Sequence, residues 1–139
     1  MRLTPRIEFV LLGLLVVAAC KNDTATPAST TPTVTRTTDT FTGTVAVRGA
    51  DFHTFTIAVA GNVDVTLTAA TPPDSVVMGL SIGMPGDRCV PVAGGSTQTA
   101  AGSSVQLSGI ASPGTMCVDV HDVGGQSAPV TYTVTVTHP

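Results

Sequence analysis

Val63-Asp-Val-Thr-Leu67 and Tyr132-Thr-Val-Thr-Val136 carry an apolar side chain at every second position, with aspartate or threonine between. Successive side chains of a strand point to opposite faces, so each stretch reads as a strand with one face on a core and one in water. Phe55-Thr-Ile-Ala-Val59 repeats the pattern, and further strands are expected at 43–48, 76–82, 88–92, 105–110 and 115–121. Pro72-Pro73, Pro85-Gly86, Gly94-Gly95, Pro113-Gly114 and Gly124-Gly125 separate them as turns or loops. Seven or eight short strands with no helical stretch between them predict an all-β chain, an antiparallel β-sandwich over residues 41–137. That length suffices for one core and not for two.

Upstream the chain changes character twice. Between Lys21 and Thr40 nine of twenty residues are threonine, with Pro27 and Pro32 among them and almost no large apolar side chains. Such a segment cannot bury enough surface to offset its ordering entropy, so residues 20–40 are expected to be a disordered tether. A coil of this length spans about 25 Å. Before it, Arg2 and Arg6 make a basic start and Phe9 to Val17 an apolar core, the pattern of a cleaved export signal over residues 1–19. The run is too short to cross a membrane, which takes about 20 apolar residues.

Val17-Ala18-Ala19-Cys20 resembles the bacterial lipobox. The resemblance implies that Cys20 becomes the first residue of the exported chain and carries lipid. Each buried acyl methylene contributes about 0.8 kcal/mol, and two or more chains give stable anchoring to a membrane. Lys21, where aspartate is absent, is similar to lipoproteins passed on to an outer membrane. The implied location is the bacterial cell envelope, with the domain exported from the cytoplasm. The competing reading makes Cys20 only a small residue at the end of a signal.

Without the signal, Lys21, Arg36, Arg48 and Arg88 face eight aspartates, a net charge of −4. A phosphate-neutralising surface is absent, which excludes nucleic acid as a partner. Lipidation of Cys20 leaves Cys89 and Cys117, which can pair as a disulfide in an oxidising compartment. The alternative for these two, a zinc site, lacks paired Cys and His at ligand spacing.

The stretch from Asp51 to Leu67, with Phe52 and Phe55 opening one strand and a Gly61 turn leading into the next, resembles the opening half of a bacterial pre-peptidase C-terminal domain. Gly114 to Val120, a Gly-rich turn and Tyr132 to Val136 resemble that family's final hairpin, with Met116 and Cys117 where aromatics are usual. The resemblance implies a jelly-roll-like sandwich with roles in secretion, solubility or substrate binding, here with no peptidase attached. Some relatives bind calcium, but Asp39 and Asp51 stand isolated in the sequence and calcium takes six to eight oxygen ligands. No metal and no cofactor are assigned.

For catalysis, Asp119 and His121 lie two apart on one strand face, where Ser112 or Ser127 could approach them. The plainer reading is a solvent-facing polar pair beside Asp122, with His53 pointing outward and His138 in a frayed terminus. Of the aromatics, Phe41 and Phe52 are the candidates for an exposed glycan platform. Two functions follow as expectations: a non-catalytic anchored module that binds an envelope protein or polysaccharide or acts as a spacer, and a small envelope hydrolase or hydrolase accessory using Asp119 and His121. The anchoring expectation is checked by cell fractionation: Cys20→Ser should move the protein from the membrane to the soluble fraction, and retention at the membrane would contradict it.

Overall fold

The alternating stretches form strands, and eight antiparallel strands build two four-stranded sheets packed as a β-sandwich. The computed structural model describes residues Thr33–Pro139. The export signal, Cys20 and the tether up to residue 32 lie outside the described residues.

In chain order the strands are β1 (Thr37–Val45), β2 (Ala50–Ile57), β3 (Gly61–Thr71), β4 (Val77–Met84), β5 (Val90–Ala100), β6 (Leu107–Ala111), β7 (Gly114–Asp122) and β8 (Val130–His138). One sheet runs β1-β8-β3-β6 and the other β2-β7-β4-β5. This is the jelly-roll order, in which the chain passes between sheets at every connection except β4 to β5. Edge strands β1 and β2 lie at one side of the sandwich, β5 and β6 at the other.

Alternation determines which side chains fill the space between the sheets. Val63, Val65 and Leu67 of β3 and Val130, Tyr132, Val134 and Val136 of β8 are buried from one sheet. Met78, Leu80 and Ile82 of β4 and Met116, Val118 and Val120 of β7 are buried from the other. Each fully buried aliphatic side chain contributes about 1.5–3 kcal/mol.

Several expected boundaries shift: the strand expected at 43–48 ends at Val45, and the one expected at 55–59 runs Ala50–Ile57. The first strand begins at Thr37, four residues inside the expected tether, because Thr37 to Thr40 pair with His138 to Thr135 of β8. Threonine suits a strand once a partner backbone is present. The strand expected at 88–92 instead runs to Ala100, and Gly94-Gly95 lies inside it rather than in a turn. The β4–β5 register shifts between Ser81 and Gly83, so Val92 to Gly95 bulge out of the ladder, and Gly94 takes a φ of 72°.

Cys89 and Cys117 form a disulfide with a Cα–Cα distance of 5.7 Å. Cys117 pairs with Gly83 of β4, and Gly83 with Pro91 of β5, so the bridge passes over β4 on the outer face of its sheet. A methyl group at Gly83 would overlap the Val90 carbonyl, which explains the glycine beneath the bridge. With a sequence separation of 28, loop closure in the unfolded chain makes the bridge worth about 3.5 kcal/mol.

Candidate functional site

Strand register brings polar side chains into rows on the outer face of the β2-β7-β4-β5 sheet. Phe52 pairs with Asp119, Asp119 with Ser81, and Ser81 with Ser96, one residue from each strand. The next row runs Ala50, His121, Gly79, Gln98. Directly opposed residues share a face, and four strands at about 4.8 Å spacing span about 14 Å.

Asp119 Oδ2 accepts a 2.6 Å hydrogen bond from His121 Nδ1. The Nε2 end of the His121 ring sits over β4 at Gly79, which has no side chain; a methyl there would overlap the ring. Ser81, almost fully buried, has its Oγ 3.0 Å from Ser96 Oγ. Ser81, Pro91, Ser96, Thr97, Gln98 and His121 line an open groove of about 390 Å³. Among the described residues no hydrogen bond engages Asp119 Oδ1, His121 Nε2 or the Gln98 amide.

Asp119 is thus not the solvent-facing residue its sequence context suggests: only 9% of its surface is exposed. Burial raises its carboxyl pKa above the ordinary value, opposed by the His121 hydrogen bond and charge and reinforced by the nearby Asp51 carboxylate. Neither serine expected beside the pair lies there. Ser112 sits beyond the far end of β7, more than about 23 Å along the strand direction from His121, and Ser127 is exposed in the β7–β8 loop and does not line the groove. Ser81, Ser96 and Gln98 take their place, residues that only the register brings together.

The β1–β2 side holds a second polar cluster between the sheets. Tyr132 Oη donates to Asp51 Oδ2 at 2.8 Å and lies 2.9 Å from His53 Nε2. Gly43 makes room, since a methyl there would meet the Asp51 carboxylate and the Tyr132 ring. His53 therefore points inward between the sheets, not outward. Its ring stacks on Phe41 at 4.8 Å, and Phe41 packs against the core, which withdraws it as an exposed aromatic. Burial, with the Asp51 bond and charge, pushes the Tyr132 phenol well above its ordinary pKa.

His138 is 5% exposed rather than frayed: Nε2 lies 3.1 Å from Asp39 Oδ2, and the ring packs 5.3 Å from Phe55. Asp39 and Asp51, isolated in the sequence, are thus each engaged across strands. Among the described residues no group of three His, Cys, Asp or Glu side chains is placed to hold a metal ion.

Elsewhere carboxylates are held below their ordinary range. Ser108 hydrogen-bonds Asp64, with Arg36 and Asn62 adding to the effect. The Arg48 backbone N–H leads the set on Asp122, joined by amides of Gly124, Gln126 and Gly125. Compared with protein-family models and with curated proteins, the chain matches none.

Asp119 and Asp64 are expected to act oppositely on stability. The folded-state pKa of Asp119 is raised, so the native state binds more protons than the unfolded one, and stability falls as pH rises through the window above 3.8. That of Asp64 is lowered, so its contribution is present at neutral pH and lost as pH falls below 3.8. Melting curves at pH 7 should show Asp119→Asn as stable as the parent or a few degrees more so, the scale on which about 1 kcal/mol moves a domain of this size. Asp64→Asn should lie below the parent at pH 7. At pH 2 to 3 the gap for Asp119→Asn should close.

Proposed function

We propose that the chain is a lipid-anchored bacterial envelope protein whose sandwich, akin to a pre-peptidase C-terminal domain, is a non-catalytic binding module. Cys20 would carry the lipid and the Thr/Pro-rich segment would hold the domain clear of the headgroups. The outer face of the β2-β7-β4-β5 sheet would be its binding surface.

One observation carries this reading: a largely buried carboxylate, Asp119, bonds the histidine that lines a groove together with Ser81, Ser96 and Gln98. A carboxylate shifted by burial and held by a specific histidine beside a groove is a candidate functional group. His121 presents a ring nitrogen to the groove, Ser96 and Gln98 both donate and accept, and Phe52 adds apolar surface beside Asp119. No arginine lines the groove. Such a surface suits a hydroxyl-rich, uncharged ligand, and an envelope polysaccharide is the class that fits.

The test is a ¹H–¹⁵N titration of the Cys20→Ser protein with oligosaccharides released from the host's envelope. Shifts should centre on Ser96, Gln98, Asp119 and His121. Gln98→Ala and His121→Ala should each weaken binding about tenfold, the effect of one lost hydrogen bond of about 1.4 kcal/mol. Shifts centred elsewhere, or unchanged affinity in both variants, would contradict the assignment.

The short Asp119–His121 hydrogen bond favours a second reading, an envelope hydrolase or hydrolase accessory. That chemistry needs a nucleophile at His121 Nε2, whereas the Ser81 hydroxyl is turned to Ser96. Ester or glycoside hydrolysis lost in a folded His121→Ala protein would favour it over the binding module.

A further inference from the structure

The opposite side of the sandwich carries different chemistry. β5 and β6 end their sheets, so each has one backbone edge unpaired among the described residues. Between them a slot of about 150 Å³ opens into the core, floored by Val63, Ile82, Leu107 and Met116. It continues past Met84 and Pro113 as a shallower groove.

Glycine creates the slot. Gly109 pairs with the buried Val63, so its missing side chain belongs to the inner face of β6, between Leu107 and Ala111. A Cβ built there meets nothing within 4 Å. The core therefore has a vacancy where an inward side chain would stand, open sideways at a free strand edge. An apolar cavity of about this volume admits a benzene-sized group.

Edge strands are usually guarded by charge, proline or a bulge. β5 has Pro91 and the Val92 to Gly95 bulge, but β6 has none of these. No charged residue and no histidine occurs among the thirty residues from Cys89 to Val118, although the described chain is otherwise acidic. Exposed apolar side chains gather on this side: Ile110 is 82% exposed, Met84 56% and Val90 54%.

We propose that the free edge of β6 receives an extended, uncharged segment of a partner polypeptide, one large apolar side chain of which fills the slot at Gly109. The unpaired N–H and C=O groups of β6 call for a strand, because main-chain pairing provides affinity and alternate side chains provide specificity. Neutrality of both edges matches an uncharged segment, since a charge seated here would lose water and find no partner. The size of the vacancy calls for a ring. A second copy of the chain fits poorly, because β6 has no aromatic residue to offer and its Ile110 pairs with Asn62, on the outer face of the sheet. This site is separate from the polar groove and does not depend on its assignment.

Anisotropy of dye-labelled, end-blocked peptides tests the proposal on the Cys20→Ser protein. The probe is Thr-Val-Thr-Phe-Thr-Val-Thr with one lysine beyond each end for solubility, and the control replaces Phe with Asp. The Phe peptide should bind at least tenfold more tightly than the control. Gly109→Leu, which fills the slot from within, should abolish that preference while the melting temperature stays level or rises. Should Gly109→Leu fail to fold, Gly109→Ala should weaken the Phe peptide without unfolding the domain. No binding of the Phe peptide at millimolar concentration, equal binding of both peptides, or binding unaffected by both Gly109 variants would overturn the proposal. Entry of benzene without binding of the peptide would overturn it in favour of a small apolar ligand. A concentration-dependent dimer lost in Gly109→Leu would overturn it in favour of a second copy.

Discussion

The inner faces of β3 and β8 close against those of β4 and β7, and this contact sets what every other part of the domain is free to do. Val65, Leu67, Val134 and Val136 come from one sheet and Leu80, Ile82, Val118 and Val120 from the other, all buried. At about 1.5–3 kcal/mol apiece their burial is the main favourable contribution to folding, set against conformational entropy of similar size. In a core this small the Cys89–Cys117 bridge carries weight, since it ties the central strand β7 to the start of the edge strand β5. The four central strands therefore hold the fold, and the lateral edges and outer faces need not be apolar.

Those freed surfaces carry the unusual chemistry. On the outer face of β4, Gly79 leaves room for the His121 ring and Gly83 for the Val90 carbonyl next to the Cys89–Cys117 bridge. Without that room Asp119 and His121 would be two ordinary surface residues; with it they form a fixed, half-enclosed pair. The β1–β2 side uses the same device, with Gly43 admitting the Asp51–Tyr132 contact. At the β5–β6 side, Gly109 leaves space that nothing in the described residues fills.

Much of the architecture was legible because period two is a local property. β2, β3 and β8 announce themselves through residues such as Val63, Val65 and Leu67, and the cysteine count anticipated the bridge. β5 was legible only at its head: Ser96-Thr-Gln-Thr99 belongs to an edge strand with little buried surface, so alternation does not mark it. Gly94-Gly95 has the composition of a turn and becomes a bulge through its pairing with β4. The pairings of His53 with Tyr132 and His138 with Asp39 join residues 79 and 99 apart, and no local signal encodes them. The shared face of Asp119 and His121 followed from spacing alone, whereas their companions Ser81, Ser96 and Gln98 depend on register.

That Asp119 is a carboxylate held in place against its own burial is the claim on which the outer-face reading rests. Its titration can be followed directly through the side-chain carboxyl carbon by ¹³C NMR from pH 2 to 8. A midpoint above the ordinary 3.8 is the expected result. A midpoint at or below 3.8 would contradict it, and would show that the His121 hydrogen bond and charge outweigh the cost of burial.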